Sequence, residues 1–367
     1  MRKFASILCI ALLLLAAGGA NATLTRVITL GESNHLIQDE ANIWVWPQAL
    51  MNFPNLGAID IIGASINTAG VHYEMEGHYL GYYWTTDLLG NAYLPSYFGG
   101  GLDQKITLFY ARELATMPFG IGFSLYGNSH ETDMTADKSA HSGLGLGISA
   151  GMTFAEALET FFAFNMLTWE EKNTAGTVIN ETEGGTDISL GLRYWYEFNE
   201  KMTLIPYFGL TFGSTGEKHP GGKTSESLFS LTLGLGDDMK FSEKMLFVED
   251  IGFQMNNYSR ENGVKADSSV WLMPYFRAGM EVAVSEKFTF RFGGVKEWEA
   301  VDVESGGQKE SWGNVNTRFY LGAAFKRGPF SIDLNVDPGI LTRGPYLITG
   351  APGPWASMVS LRYVWGE

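Results

Sequence analysis

Cysteine is almost absent: Cys9 is the only one in 367 residues. It sits inside an apolar run from Ile7 to Ala17, which follows Arg2 and Lys3 and leads to the small-residue end Ala20-Asn21-Ala22. A basic start, a short apolar core and an A-x-A-like end are the parts of a secretory signal. The run is shorter than the roughly 20 residues a spanning helix needs. Cleavage after Ala22 is therefore expected rather than an uncleaved anchor, and residues 1–22 read as a signal peptide. A lipid-attachment cysteine would stand at the cleavage point, where Cys9 does not. The exported chain would begin at Thr23, without a disulfide or a thiolate metal ligand.

Long apolar runs are also missing. After the signal no stretch approaches about 18 consecutive apolar residues, which excludes a helical membrane protein. Positive charge is scarce, with Lys+Arg 25 against Asp+Glu 40 and a net charge of -15, so no nucleic-acid partner is expected. There is no H-E-x-x-H and no phosphate-cradling glycine loop. The six histidines, His35, His72, His78, His130, His141 and His219, show no spacing to a nucleophile. No enzymatic activity, cofactor or metal is expected. Asp133, Asp137 and Asp302 read as solvated acidic-loop residues rather than a Ca²⁺ site.

What is present is a repeat. Phe198-Asn199-Glu200-Lys201-Met202, Phe241-Ser242-Glu243-Lys244-Met245 and Val284-Ser285-Glu286-Lys287-Phe288 place Glu-Lys turns 43 residues apart. Phe154–Leu158 and Arg327–Phe330 extend the series, and earlier turns fall near Glu76-Gly77 and Thr116-Met117-Pro118. Alternating segments flank each turn. Leu204, Pro206, Phe208, Leu210 and Phe212 share one face, and Thr203, Ile205, Tyr207, Gly209, Thr211 and Gly213 share the other. Period two puts these sets on opposite sides of a sheet. One side suits lipid and the other a wet or packed interior. Tyr194, Tyr196, Trp355, Tyr363 and Trp365 lie near segment ends, as interfacial girdles require.

The predicted fold is all-β: a transmembrane antiparallel up-and-down barrel in a bacterial outer membrane. Sixteen strands are expected, near 57–65, 68–75, 79–86, 104–112, 118–126, 142–153, 157–169, 186–197, 202–214, 226–240, 244–257, 269–283, 287–298, 314–326, 329–337 and 355–365. Fourteen is the alternative, because the first pair is short. Closure satisfies backbone edges that lipid cannot. The segments 127–141, 170–185, 214–225, 257–268 and 299–313 are expected to be long extracellular loops, with the short turns periplasmic.

Residues 23–55 do not alternate. Asp39 is placed to cap a short helix through Glu40–Trp44, and Trp44, Trp46 and Phe53 should seek burial. The segment reads either as a plug or hatch inside residues 56–367, the barrel, or as a tail sealing its base. Asp39, Asn42, Trp44 and Pro47 are its candidate plug residues. Arg26-Val27-Ile28-Thr29-Leu30-Gly31, then Asp39–Trp44 and Pro47-Gln48-Ala49-Leu50, resemble the start of FadL-type outer-membrane proteins. There a Gly-rich opening precedes an Asp-Ala-like segment and an Asn-Pro-Ala box, in whose place Trp46-Pro47-Gln48 stands here. The resemblance implies a fourteen-stranded barrel with an N-terminal hatch that carries hydrophobic compounds. It also covers secretion-associated relatives.

Alternation turns Arg193, Arg277, Arg291, Arg318 and Arg362 inward, together with Asp187, Asp250, Glu281 and Asp333. They read as a mixed-charge constriction or as a network that stiffens the wall and holds the plug. Glu249 falls on the lipid side. Gly120, Gly122, Gly143, Gly145 and Gly147 are inward and would let a plug or ligand approach the wall, or relieve curvature. The function expected is porin-like passive uptake of a small solute, hydrophobic if the resemblance extends to function. The alternative is a non-conducting structural or secretion-associated barrel. The partners are outer-membrane lipid, a small-molecule solute and, in the alternative, another envelope protein.

Overall fold

The computed structural model describes residues 24–32, 34–62, 65–86, 104–134, 137–173, 178–336 and 356–366. The signal segment and Trp355 lie outside them. Sixteen antiparallel strands close into one barrel. The first six are β1 (Leu56–Ile62), β2 (Ser65–Met75), β3 (His78–Thr86), β4 (Gln104–Leu114), β5 (Met117–Met134) and β6 (Asp137–Phe154). Then come β7 (Leu158–Asn173), β8 (Val178–Tyr194, resumed at Tyr196–Asn199), β9 (Met202–His219), β10 (Gly222–Ser242) and β11 (Met245–Asn262). The last five are β12 (Val264–Ala283), β13 (Phe288–Ser305), β14 (Gln308–Arg327), β15 (Phe330–Val336) and β16 (Ala356–Val364). Each strand expected from alternation has one counterpart. Trp195 interrupts β8, but both pieces pair with β9. Closure comes from β1, which pairs with β2 on one side and β16 on the other, from Leu56↔Val364 to Ile62↔Met358.

The turns at one end are tight. Ala115 and Thr116 have φ of 48° and 73°, and Ala155 and Glu156 have 48° and 61°. Two successive positive φ values give the twist that matches antiparallel strands. At the opposite end the expected loops are instead mostly strand. Ladder pairing continues to Met134↔Asp137, His219↔Gly222, Asn262↔Val264 and Ser305↔Gln308. Asp302 therefore sits on β13, where its carboxylate accepts from Ser311 Oγ at 2.6 Å, and Asp133 and Asp137 sit on a hairpin ladder. The sequence hides these extensions because both of their faces are polar, leaving no hydrophobic period to read. Among the described residues, β7 to β14 span 16 to 21 residues each, more than the about 9–11 a tilted strand needs to cross a bilayer. The surplus rises beyond the membrane on the side opposite the tight turns.

The wall has the two faces expected. Tyr207 faces Arg193 across the β9–β8 ladder, and Leu210 faces Leu190. Arg193 is 1% exposed, whereas Leu190 is 39% exposed. Phe288, Phe290, Phe292 and Ile251 are likewise exposed on the outside, where lipid would cover them. Glu249 remains outside between buried Val248 and Asp250, opposite Asp237 of β10. It is the fifth residue of β11, near the tight-turn edge.

Inside lies the N-terminal segment. Helix α1 (Leu24–Thr29) is followed by two 3-10 helices, Glu40–Trp44 and Pro47–Asn52. Asp39 caps the first as expected. Its carboxylate accepts from Ala41 N, and Asn42 Oδ1 accepts from Asp39 N. The segment supplies most of two apolar clusters. Val27, Leu30, Leu36, Ile37 and Ala41 pack on Ile205, Tyr207 and Val248. Ile43, Val45, Trp46, Ala49 and Leu50 pack on Tyr83, Phe109 and Ala111.

Candidate functional site

The segment sits in the tight-turn half of the lumen, and the wall makes room for it with glycine. A Cβ on Gly120 would strike the backbone of Pro47 and Gln48, and one on Gly279 the backbone of Leu30. Other inward glycines serve wall side chains instead. Gly122 faces Phe109 and Ser149, and Gly145 and Gly147 face Tyr126.

All nine inward charges singled out in the sequence point to the interior, in three arrangements. In the first, they grip the segment directly. Arg362 donates to Glu40 from Nε at 2.8 Å and lies 2.6 Å from it at Nη2. Arg193 pairs with Glu159 and donates from Nη1 to the carbonyls of Asn34 and His35, each at 3.2 Å. Its guanidinium lies 4.7 Å from the rings of both Trp46 and Trp195. Glu281 receives Arg26 of the segment at 2.8 Å and 3.2 Å, and Arg318 reaches Glu32 at 3.3 Å while pairing with Glu297 at 3.0 Å. Tyr320 also donates to Glu32.

In the second arrangement they brace those grips. Arg291 donates to Glu281 at 2.5 Å and to Asp333. Arg277 lies 3.9 Å from Asp250, which accepts from Tyr207 at 2.5 Å; His35 of the segment stacks on Tyr207 at 4.7 Å. The third contains Asp187 alone, away from the segment. Asn165 donates to its two oxygens at 2.9 Å and 3.0 Å, and Tyr126 donates to Asn165 at 2.9 Å.

Of the candidate plug residues, Asp39 lies 3.7 Å from Arg26. Asn42 donates to Asn34 O at 3.0 Å. Trp44 meets Tyr83 and Phe109 edge-on at 5.2 Å and 5.4 Å. Pro47 begins the second 3-10 helix. Burial pushes the Asp39 carboxyl up to about 6 against the pull of Arg362 and Arg26, and raises Glu40 as well. Burial, with Arg277 and Arg193 nearby, holds His35 neutral, down to about 3. Charges kept in such a site need partners and additional hydrogen bonds, which the wall arginines supply.

Sequence reading missed Glu159, Lys105, Glu297, Tyr207 and Asn165. Each stands at an inward position of an alternating strand. Lys105, for example, alternates with Ile106 and Leu108, both 39% or more exposed on the outside. Their inward direction was therefore legible, but their partners were not.

Residues 106–271 match the outer membrane protein beta-barrel domain family. No curated protein matches the chain. Among solved structures, the toluene transporter TbuX of Ralstonia pickettii is 12% identical, with 94% of this chain and 99% of that one covered at a TM-score of 0.41. The toluene transporter TodX of Pseudomonas putida is 10% identical, with 95% and 97% covered at 0.40. The alcaligin outer-membrane receptor FauA of Bordetella pertussis is 9% identical, with 84% and 75% covered at 0.40. These similarities are distant in both sequence and shape.

Proposed function

We propose that this chain, an outer-membrane β-barrel, passes a small solute passively through a lumen whose base is held shut by residues 24–55. The observation that carries the reading is how the segment is held. Its described residues contribute no strand to the wall, and it docks through apolar packing, through Arg193 of β8 donating to its backbone carbonyls, and through ion pairs to β12, β14 and β16. Such a segment can shift while every strand-to-strand ladder stays intact. The interior is wetter at the segment's own edge: Arg318 and Glu32, which join it to β14, are each more than a third exposed at their side chains. The FadL resemblance of Arg26–Leu50 supports a hatch-like role and a solute with apolar character.

A non-conducting structural or secretion-associated barrel is the second reading. It is favoured by Leu30, Leu36, Ile43 and Leu50, each 0% exposed, which pack the base as a protein core is packed. Planar-bilayer conductance and liposome swelling separate the two. Channel function expects measurable passage by the full chain and more after residues 24–52 are deleted. Silence from both proteins, with a second envelope protein copurifying, would overturn it.

A further inference from the structure

The N-terminal segment is held unevenly. Up to Asn42 it has polar partners on the wall: Thr25 with Ser360 at 2.6 Å, Arg26 with Glu281, Glu32 with Arg318 and Glu40 with Arg362. Residues 43–52 carry no charge. Among the described residues, their side chains form no hydrogen bond or ion pair with the wall. Apolar packing on Tyr83, Phe109 and Ala111 holds them, with two cation–ring contacts: Lys105 over Trp44 at 4.6 Å and Arg193 over Trp46 at 4.7 Å.

Two buried side chains in this stretch have polar atoms without partners. Gln48 is 2% exposed and both ends of its carboxamide lack one, as does the indole nitrogen of Trp46. A buried donor or acceptor left unsatisfied loses its hydration without compensation. The wall presses close here: a Cβ on Gly151 would strike Gln48 Oε1, and one on Gly120 the Gln48 backbone. The carboxamide gains hydrogen bonds by leaving that wall for water. Both ends of the stretch, by contrast, are fixed. Asn42 donates to Asn34 O at 3.0 Å and to Asn34 Oδ1 at 2.6 Å. At the other end Phe53 O accepts from His72 Nδ1 at 2.7 Å, and Asn55 O accepts from Trp365 N at 2.9 Å.

We infer that residues 43–52 are a lid that opens on its own, hinged at Asn42 and Phe53, while residues 24–42 stay docked. This rests on the transport reading and names its moving part. Local opening takes the least secured part of a fold. Here that is a stretch packed by apolar contact, whose two orphaned polar groups gain partners on release. The lid lifts from β3 to β6. The solute therefore passes along that arc, away from the ion pairs on β12, β14 and β16.

The test is amide hydrogen exchange, resolved by residue, on the full chain in detergent. The lid amides of Val45, Trp46 and Ala49 are compared with those of Leu30 and Asn42; each donates to a backbone carbonyl of the segment. The lid amides should be protected at least about tenfold less, as an independent opening requires. Gln48→Met keeps the shape and removes the carboxamide. It should slow lid exchange by about tenfold, the step that relief of one modest burial penalty produces, and leave Leu30 and Asn42 unchanged. Equal protection across the segment, or lid exchange unmoved by Gln48→Met, overturns the proposal. If Gln48→Met does not fold, the comparison within the unaltered chain decides alone. Bilayer conductance is measured separately and should fall in Gln48→Met by a similar factor. Unchanged conductance beside slowed exchange overturns the lid as the gate, whereas no conductance from either protein sinks the transport reading instead.

Discussion

Glu40 and Arg362 meet across 322 residues of sequence, as a two-contact ion pair of 2.8 Å and 2.6 Å with both side chains buried. Glu40 belongs to the N-terminal segment and Arg362 to the last strand, beside the closing seam with β1. The pair therefore links docking of the segment to the place where the barrel closes. Removing one partner leaves an uncompensated buried charge, which costs about 3–5 kcal/mol, whereas removing both is far milder. Arg362→Met should accordingly be the more damaging, and adding Glu40→Gln should recover much of the loss. Denaturant titration of refolded protein measures this. Equal destabilisation by the single and double variants would show that the pair contributes nothing specific.

The wall register makes a second prediction. Leu190 points outward, and Thr211 points inward, sharing a hydrogen bond with Ser189 at 3.0 Å. An arginine on the lipid side near the bilayer midplane costs roughly 2–4 kcal/mol. Leu190→Arg should impair folding into vesicles, and Thr211→Arg should fold and alter the lumen. The opposite ranking would mean a one-residue slip, which exchanges the faces of a whole strand.

The barrel was legible because its signal is local. Leu204 to Phe212 alternate within one strand, and the Glu-Lys turns recur at a fixed interval, so neither needs knowledge of distant contacts. Asp39 was legible for the same reason, since a cap and its helix are adjacent. What Arg193 or Arg362 holds was not, because Asn34 and Glu40 are distant from them in sequence and meet them only in the folded barrel. The strand tips were misread on physical grounds as well. Residues such as Thr215, Glu217 and Lys223 rise beyond the lipid, where both faces tolerate polar side chains and only ladder hydrogen bonds mark a strand.

Docking of the segment should depend on pH through Asp39. Its carboxyl is raised by burial from 3.8 to about 6 in the docked state, and Glu40 is raised in the same direction. For a group whose bound-state value is raised, the docked form holds more protons between the two values. Docking is therefore strongest near and below pH 4 and weakens as pH rises through about 6, where Asp39 loses its proton in the docked state. Limited proteolysis of the segment in folded protein should be slower at pH 5 than at pH 7.5. Asp39→Asn should flatten that difference. Faster cleavage at the lower pH would show that other carboxylates control docking.

The glycines under the segment offer the most direct test of whether it closes the lumen. At Gly120 any Cβ overlaps the Pro47–Gln48 backbone, and at Gly279 it overlaps Leu30, so in neither case can the neighbour yield by swinging a side chain. Valine suits a strand, so the wall itself should accept it, and the segment must move instead. Gly213 provides the control, because a Cβ there meets nothing nearer than 3.8 Å. Gly120→Val and Gly279→Val should fold as barrels yet expose residues 24–52 to protease and raise conductance, while Gly213→Ala matches the parent. Protease exposure without a rise in conductance would separate the two roles of the segment: it would be displaced, and the lumen beneath it would still be closed by the wall.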